Sequence, residues 1–420
     1  MHICVLGAGV IGVTSAWCLL RDGHQVTLVD ALPEAGSGTS FGNGAQLSYS
    51  YVAPLADPSI LTHWPHYLFG TNSPLTLRPQ ADPAQWRWLL KFLSACSRQR
   101  AQRSTLELLQ LAFLSRDQLH QMLPTLPFEF AFRRAGKLVM YDDAQALQQA
   151  RRQVAFQAEH GCQQQVLDAA RCIDVEPALA AGSRRWAGGV YTESEEVGDC
   201  ARFCRGLVAV MREQSQFRFT SSSPIGAPFE VDHGRLKSVH AGAAKLAADA
   251  FVLALGADSP AFARQAGFTL PIYPLKGYSI TVPLTNPTPE SAPQVSITDL
   301  AHKIVYARLD NRLRVAGRLE LVGRDPALPP RATAELMQGV RELFPAHADW
   351  TDSHTLAPWA GFRPATPTGV PIIGASPVKN LYLNVGHGAL GWTLACGSAA
   401  LLADQIAGRP STIDASPFRL

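Results

Sequence analysis

The hydrophobic pattern of the first thirty residues predicts two short strands on either side of a helix. Residues 2–6 form an uncharged run of β-branched and aliphatic side chains, which is typical of a buried strand. Apolar residues then recur at helical spacing over about 10–21, Gly23 marks the end of that helix, and residues 25–29 form a second apolar run. The order strand, helix, strand predicts one β-α-β unit of a parallel sheet.

The rest of the chain alternates between helical and strand-like patterns. Apolar residues recur at intervals of three and four, without an internal proline, from Asp82 to about Leu123. Similar patterns predict helices at 143–160, 197–214, 332–343 and the C-terminus, and strands at 136–141, 217–220, 248–260, 271–322 and 380–386. They predict an α/β fold in which a Rossmann-like cofactor-binding domain (1–60, 195–270 and 355–420) is interleaved with an α+β substrate-binding domain that contains a mixed or antiparallel sheet (61–194 and 271–354).

Composition and charge narrow the class of protein. Hydrophobic residues make up 47% of the 420 residues and charged residues 17%, which is a globular composition. The formal net charge of +3 gives no support for a nucleic-acid partner. The eight cysteines contain no CxxC pair, so we expect reduced thiols in a cytoplasmic protein and no metal site. The apolar run at 388–403 is shorter than a membrane span and predicts a buried helix.

The glycines between the first strand and the first helix predict a dinucleotide site. Gly7, Gly9 and Gly12 have the GxGxxG spacing: the first permits a tight turn, the second lets the backbone approach a pyrophosphate, and the third lets helix and strand pack closely. Asp30 follows the second strand, where a carboxylate can accept the ribose hydroxyls and would repel a 2′-phosphate. A glycine-rich turn in an ordinary α/β domain does not explain Asp30. The fingerprint does not separate NAD from FAD.

Four later segments, together with the opening unit, resemble one known family. They are TSFGNGAQLSYSY (39–51), YPLKGYSITVP (273–283), GFRPATPTGVPIIG (361–374) and NVGHGALGWTLACGS (384–398). Over nearly its whole length the chain resembles the superfamily of FAD-dependent D-amino acid, glycine and sarcosine oxidases, and within it the small subunits of bacterial D-amino acid dehydrogenases. The resemblance implies FAD as the cofactor. It also implies oxidation of a D-amino acid to an imino acid, which hydrolyses to a 2-oxo acid and ammonia.

The resemblance assigns Arg363 to the substrate. In similar oxidases the arginine of this segment holds the substrate carboxylate over the flavin, and the planar guanidinium suits this role because it can pair with both oxygens. A structural salt bridge is the alternative, and Thr368 stands where the family commonly has an acid. Tyr278 and Tyr306 are candidate pocket residues, although an aromatic residue in an alternating strand is often a core residue.

Other residues are implied in cofactor binding. The glycine-rich entry to the last helix lets backbone N–H groups approach the flavin, and we interpret His387 there as a turn residue rather than a general base. Monomeric sarcosine oxidases carry a cysteine two residues before the matching arginine, and Gly361 in that place implies non-covalent FAD. The implied cofactor-binding residues are Gly7, Ala8, Gly9, Val10, Ile11, Gly12, Asp30, Ser40, Asn43, Gly44, Ala45, Gln46, Ile225, Gly256, Gly361, Gly386, His387, Gly388, Leu390, Gly391 and Trp392.

The resemblance leaves the electron acceptor open. An oxidase passes electrons to oxygen, whereas a dehydrogenase passes them to a quinone or a partner protein. Some sarcosine oxidases use a lysine near the flavin to activate oxygen, and the corresponding strand here, NRLRVAG (311–317), has Arg314 and no lysine. This difference favours a dehydrogenase.

Two segments, 63–70 and 85–103, interleave aromatic and basic residues. They form either an interfacial membrane helix or a substrate-domain helix with one buried and one charged face, and we favour the second interpretation. We expect a cytoplasmic protein, and peripheral contact with the inner face of the cell membrane stays open.

Three further functions are compatible with the same motifs. One is a dehydrogenase of D-hydroxyproline or another secondary amine, acting on a cyclic imino acid as the flavin subunit of a larger complex. Another is an oxygen-using glycine or sarcosine oxidase. A third is a flavin-binding protein without turnover, against which the presence of Arg363 argues. The sequence does not identify the exact substrate or the oligomeric state.

Overall fold

The computed structural model describes residues 1–58, 60, 75–285, 287–346 and 357–420. Its helices are α1 (Val10–Arg21), α2 (Pro83–Ala95), α3 (Arg98–Met122), α4 (Ala144–Ala158), α5 (Ala169–Val175), α6 (Cys200–Arg212), α7 (Ser259–Gln265), α8 (Pro330–Leu343) and α9 (Gly391–Ala407). Its strands are β1 (His2–Leu6), β2 (Gln25–Val29), β3 (Gln46–Leu47), β4 (Leu75–Leu77), β5 (Lys137–Tyr141), β6 (Gln165–Leu167), β7 (Gly188–Thr192), β8 (Glu196–Val197), β9 (Phe217–Thr220), β10 (Ile225–Asp232), β11 (Arg235–Ala241), β12 (Ala244–Ala247), β13 (Ala250–Leu253), β14 (Tyr273–Pro283), β15 (Ser296–Asp299), β16 (Ile304–Leu309), β17 (Arg312–Leu321), β18 (Trp359–Ala365), β19 (Ile372–Ala375) and β20 (Leu381–Val385).

A six-stranded sheet carries the predicted β-α-β unit. Its strand order is β19-β20-β13-β1-β2-β9, and all neighbouring strands are parallel except β19, which runs antiparallel to β20. The carboxyl ends of the parallel strands meet at one edge of the sheet, so the segments after β1, β2, β13 and β20 lie together there. This arrangement confirms the Rossmann-like fold and brings four of the predicted cofactor segments to a single edge.

A nine-stranded sheet forms the other large element. Its order is β18-β14-β17-β16-β15-β5-β7-β6, with β4 paired to β17. Most pairs are antiparallel, and the pairs β15/β5 and β17/β4 are parallel, so the sheet is mixed as predicted. We call the face that carries Lys137, Arg314 and Arg363 the front face, and the opposite face, which α8 covers, the back face.

The structure differs from the predicted domain boundaries in two places. Strand β18 belongs to the nine-stranded sheet, although the prediction placed residues 355–420 in the cofactor-binding domain. Helix α3 packs against α9, and Leu108 and Leu111 share one buried core with Val13 and Leu394, although the prediction placed α3 in the substrate-binding domain. Both differences concern which distant element a segment contacts, which local periodicity does not specify.

The predicted long helix from Asp82 to about Leu123 consists of two helices. Helix α2 ends at Ala95, and Ser97 begins the next helix because its side chain accepts a hydrogen bond from the backbone N–H of Arg100 (3.4 Å). The segment 63–70 lies outside the described residues. In the part of the chain that the structure describes, no helix has the length and apolar content needed to cross a membrane.

Candidate active site

The turn between β1 and α1 has the geometry of a phosphate-binding turn. A Cβ at Gly12 would overlap the carbonyl oxygen of Gly7, so only glycine lets the helix approach this closely. Gly7 has φ +107° and its α-carbon faces the carbonyl of Ala254, which places the segment after β13 beside the turn. Helix α1 begins after Gly9 without a side-chain cap, and this leaves first-turn N–H groups available to an anion.

Polar side chains from two segments converge on this turn. The Asp30 carboxylate accepts hydrogen bonds from the backbone N–H of Ala8 (2.5 Å) and Leu32 (2.8 Å). The Ser40 hydroxyl accepts one from the N–H of Val10 (3.0 Å) and keeps its own proton for another acceptor. The turn is thus flanked by a carboxylate that suits hydroxyl groups and a hydroxyl that suits a phosphate.

Ile225 and Gly256, two predicted cofactor residues from later in the chain, also lie near this edge of the six-stranded sheet. The backbone N–H of Ser223, two residues before Ile225, donates to the carbonyl of Asp30 (2.9 Å). Gly256 has φ +56° and begins a short 3-10 turn directly after β13. Both segments therefore lie beside the end of the six-stranded sheet where the resemblance places the adenosine side.

The loop at 39–51 lies over the front face of the large sheet. The Asn43 side chain accepts a hydrogen bond from the N–H of Ala45 (2.9 Å), which has φ +60°, and so fixes the turn. Gly44 lies against Val305, where a Cβ would come within 2.8 Å of the side chain. The Gln46 side chain bonds the Ile297 carbonyl (3.2 Å), so it is held by the sheet rather than directed at a cofactor.

Arg363 is a half-buried cation without an acidic partner among the described residues. It lies on β18 beside Gly277 of β14, where a Cβ would overlap the guanidinium. The guanidinium donates a hydrogen bond from Nη1 to the carbonyl oxygen of Arg318 (3.1 Å). Burial lowers the pKa of Arg363 to about 10. This arrangement argues against the structural salt bridge and leaves the charge available to an anionic ligand.

Trp359 is a residue of this site that the sequence reasoning missed. Its indole lies on the same face of β18 as Arg363, and it fills the space that a Cβ at Gly42 or Gly361 would occupy. Trp359, Gly361 and Arg363 alternate along one strand and therefore share a face. The signal that could have found Trp359 is this alternation, which the sequence analysis did not apply to β18.

His387 lies between β20 and α9, next to the end of β18. It forms an isolated bridge with Ala365, and its Nε2 atom is buried without a hydrogen-bond partner in the described parts of the chain. Burial lowers the pKa of His387 to about 3, so the imidazole is neutral. Helix α9 begins at Gly391 with no side-chain cap and no acid in its first turn. The His387 ring and the first turn of α9 therefore present uncharged polar groups to the same place. Such groups suit an electron-rich part of a ligand.

The structure corrects the prediction that Tyr278 and Tyr306 line the substrate pocket. Tyr278 follows Gly277 directly, so its side chain points to the back face, where its hydroxyl donates to Glu320 (2.7 Å). Tyr306 pairs with Val315 on the same back face and packs against Phe344, with ring centroids 5.6 Å apart. Both tyrosines are core residues behind the sheet, on the opposite side from Arg363.

The side chain of Trp392 is also a core residue. Its Nε1 atom donates to the carbonyl of Gly198 (3.1 Å), and its ring packs against Phe203 and Phe130 at centroid distances of 4.9 and 6.3 Å. Only the main chain of Trp392, in the first turn of α9, remains at the cofactor edge. The predicted residues Gly386, Gly388, Leu390 and Gly391 form the segment between β20 and α9 beside His387.

The chain is similar in sequence and in fold to known proteins. Residues 2–405 match the DAO family, described as FAD dependent oxidoreductase. D-amino acid dehydrogenase 2 of Ralstonia nicotianae is 47% identical, and the match covers 100% of both chains. D-amino acid dehydrogenase 2 of Pseudomonas aeruginosa is 44% identical over 98% of this chain and 96% of its own. The crystal structure of glycine oxidase from Geobacillus kaustophilus shares the fold, with a TM-score of 0.77 at 20% identity over 100% of this chain and 97% of that one.

Proposed function

Because the chain belongs to the DAO family of FAD-dependent oxidoreductases, we propose that it oxidises D-amino acids and passes the electrons to an acceptor other than oxygen. The observation that carries the proposal is the half-buried guanidinium of Arg363, which has no acidic partner among the described residues. An α-amino acid supplies the carboxylate that this cation lacks. The names of the two similar dehydrogenases, at 47% and 44% identity, support the D-configuration.

The residues at the edge of the six-stranded sheet fit FAD. Uncapped N–H groups of α1 and the Ser40 hydroxyl suit the pyrophosphate, and the Asp30 carboxylate suits the ribose hydroxyls. The unpaired His387 Nε2 and the uncapped start of α9 suit the polar edge of the flavin ring. We propose non-covalent FAD, since Gly361 and Gly42 face Trp359 and offer no side chain for attachment.

Arg363 binds and orients the substrate in this proposal. Its guanidinium pairs with both carboxylate oxygens, and the strand pair β14/β18 fixes the direction of that pair. When bound, FAD supplies a two-electron oxidant for the hydride on the substrate α-carbon. The amine loses a proton in the same overall reaction and leaves as the imino acid, which takes up water and releases ammonia.

His387 is not the base for this proton. A ring whose pKa is lowered to about 3 by burial binds protons too weakly near neutral pH. The neutral imidazole instead offers one hydrogen bond at the flavin edge. We therefore propose that the substrate reacts as the free amine, and that the protein contributes binding, orientation and exclusion of water.

The environment of Arg314 supports an acceptor other than oxygen. Its Nη1 atom donates to the carbonyls of Phe41 (2.9 Å) and Asn43 (2.8 Å), and Nε donates to the Thr281 hydroxyl (2.8 Å). The guanidinium of Arg314, which lies on the strand where some sarcosine oxidases have a lysine, therefore holds the loop 39–51 in place. It is not free to stabilise a charged oxygen species beside the flavin.

A substrate and acceptor panel tests the proposed function. The holoenzyme is mixed anaerobically with D-alanine, L-alanine, glycine, sarcosine and cis-4-hydroxy-D-proline, and loss of the flavin absorbance band is followed. We expect D-alanine to bleach the flavin, and a soluble quinone to restore the colour faster than air does. Bleaching by the hydroxyproline or sarcosine alone would indicate a secondary-amine dehydrogenase, and rapid recovery in air would indicate an oxidase.

The sequence favoured a substrate-domain helix for 85–103, and α2 does bury one face, but its outer face exposes apolar side chains. We therefore further propose that this outer face docks on an anionic bilayer surface, where a quinone is available. Trp86 and Leu90, one helical turn apart, are 48% and 69% exposed. Residues 83–106 contain five basic and no acidic residues. Arg103 pairs with Glu107 (2.8 Å), and the other four charges complement anionic headgroups. On the inner face of the same helix, Trp88 Nε1 donates to the carbonyl of Ala365 (2.8 Å), which lies on the strand that carries Arg363.

Vesicle binding tests this docking surface. Sedimentation with vesicles that contain anionic lipid should pull down the native protein, and Leu90→Gln should weaken the binding because less apolar surface enters the interface. Ile173→Gln is the control, since Ile173 is also exposed and lies on α5, which contacts β6 and β7 at the opposite edge of the large sheet from β18. Equal binding of the Leu90→Gln and native proteins, or equal binding to neutral vesicles, would contradict the proposal.

A further inference from the structure

A buried lysine joins the large sheet to the cofactor loop. Lys137 is the first residue of β5, lies on the front face, and is 3% exposed. Its ammonium donates to the Gln46 side-chain oxygen (2.9 Å) and to the Ser48 hydroxyl (2.8 Å). It also lies over the ring of Tyr51, 4.4 Å from the centroid. Three residues of the loop 39–51 therefore contact one buried positive charge.

A buried glutamate balances this charge. Glu195 is 1% exposed, and one carboxylate oxygen accepts the backbone N–H of Ser50 (2.7 Å). Its other oxygen is buried with no hydrogen-bond partner in the described residues. The Glu195 carbonyl accepts the N–H of Gly136, which places the glutamate backbone beside Lys137. Burial lowers the pKa of Lys137 and raises the pKa of Glu195. The opposite charge of the partner acts against both shifts, because it stabilises the charged form of each group.

The lysine is linked to the start of α9 through the same loop. The backbone N–H of Ser48 donates to the hydroxyl of Thr393 (3.0 Å), which is the third residue of α9. The path from the ammonium to the first turn of α9 therefore consists of two hydrogen bonds that meet at Ser48. The opposite end of the loop is held by Arg314, which bonds the carbonyls of Phe41 and Asn43.

We propose that Lys137, with Glu195 as its counter-charge, is a positioning residue that holds the cofactor loop in its FAD-binding conformation and places positive charge near the flavin end of α9. This inference rests on the proposed placement of FAD along the loop and α9. Burying an ammonium costs free energy that loop anchoring by a neutral residue would not require. Removal of the ammonium would leave the Glu195 carboxylate uncompensated, and that negative charge would disfavour the reduced flavin, which is itself negatively charged.

The test compares Lys137→Met, which keeps the length and removes the charge, with Lys137→Arg, which keeps the charge. The readouts are FAD release from the diluted holoenzyme and the flavin midpoint potential from an anaerobic redox titration. We expect Lys137→Met to increase the FAD dissociation constant about tenfold or more and to shift the potential to a more negative value. We expect Lys137→Arg to restore most of the potential. Lys245→Met, which removes an exposed lysine of β12, is the control for charge alone.

The outcomes separate a positioning role from a purely structural one. A lower melting temperature in Lys137→Met, with FAD release and potential at native values, would overturn the proposal. If Lys137→Met does not fold, Ser48→Ala removes one acceptor and keeps the lysine. Faster FAD release by that variant supports the proposal, and native release together with native potential overturns it. Neither readout depends on which amine is oxidised, so this proposal and the proposed function can fail separately.

Discussion

Arg363 is a half-buried positive charge whose guanidinium donates to the neutral carbonyl of Arg318, and partial removal of a cation from water has a free-energy cost. Burial of an unpaired cation destabilises a protein unless a counter-ion or ligand compensates. The guanidinium lies beside Gly277, and Trp359 occupies the neighbouring space on the same face. A carboxylate ligand would offset this cost, so we expect the site to favour anionic substrates.

Gly277→Ala tests the space that the guanidinium needs. A Cβ at this position would overlap the Arg363 side chain and displace it. We expect kcat/KM for D-alanine to fall about tenfold to a hundredfold, because a displaced guanidinium no longer orients the substrate correctly. We expect little change in the melting temperature. Gly226→Ala is the matched control, since a Cβ there meets no atom within 4 Å. Native kcat/KM in Gly277→Ala would contradict the account.

His387 predicts a specific pH dependence of stability. Its pKa is lowered to about 3 in the folded protein, below the ordinary value of about 6.5. Above pH 6.5 the ring is neutral in both states and adds no pH dependence. Below it, the unfolded chain binds a proton that the folded chain does not, so the free energy of unfolding falls as the pH drops from about 6.5 towards 3. The loss from this group amounts to about 2 kcal/mol at pH 5.

Denaturant unfolding at pH 7 and pH 5 measures this effect. We expect His387→Asn to lose less stability than the native protein over that interval. His233→Asn is the control because His233 is an exposed surface residue that already has φ +48°, which asparagine tolerates. If native and His387→Asn proteins lose the same stability, the His387 ring is not held neutral by burial.

The sequence singled out Arg363 as a candidate, whose role stays a prediction, but it did not reveal which way the tyrosines face. The resemblance pointed to Arg363 because it lies in a segment of distinctive glycines and prolines. Tyr278 and Tyr306 each lie in an alternating strand, and alternation shows that neighbours face opposite ways without showing which face meets the cofactor. That choice depends on where α8 and the loop 39–51 pack, which only the structure shows.

At the scale of elements, the β1–α1 turn assigns different roles to two of its glycines. A Cβ at Gly12 would overlap the Gly7 carbonyl, whereas a Cβ at Gly9 would meet its nearest neighbour, the Ser40 hydroxyl oxygen, at an ordinary 3.5 Å. Gly12 is therefore required by the packing of α1 on β1. Gly9 is required only if a ligand approaches the backbone at that point.

Paired substitutions separate these roles. We expect Gly12→Ala to lower the melting temperature of the protein with and without FAD, because helix and strand are forced apart. We expect Gly9→Ala to keep the melting temperature of the FAD-free protein and to weaken FAD binding about tenfold or more. FAD titration and thermal unfolding of both variants provide the measurement. Native FAD affinity in Gly9→Ala would show that the pyrophosphate does not lie on this turn.

Hydrophobic periodicity predicted where several helices and strands lie, but it did not predict which elements they pack against. The opening β-α-β unit, α8 and α9 occur close to where apolar spacing predicted them. The break at Cys96 was missed because no proline or glycine marks it, and Ser97 acts as a cap within a polar stretch that resembles a helix surface. Strand β18 was recognised as a segment but assigned to the wrong sheet, since its pairing with β14 is set by a residue range nearly a hundred positions away.

At the scale of the whole molecule, the two sheets meet around one loop and one helix. The loop 39–51 is held to the large sheet by Arg314 and Lys137, and to α9 by Ser48 and Thr393. The cofactor edge and Arg363 therefore belong to different sheets that share these contacts. If FAD and substrate bind as proposed, we expect substrate orientation and cofactor position to be coupled through the same few buried polar groups.

The most direct test of this account compares enantiomers and the Arg363 charge in one anaerobic experiment. Native holoenzyme is mixed with D-alanine or L-alanine, and Arg363→Lys and Arg363→Met holoenzymes are mixed with D-alanine, while loss of the flavin absorbance band is followed. The account predicts reduction by D-alanine and not by L-alanine, a partial loss of rate in Arg363→Lys, and a loss of about a hundredfold or more in Arg363→Met with FAD still bound. Reduction of Arg363→Met by D-alanine at the native rate would show that Arg363 does not hold the substrate.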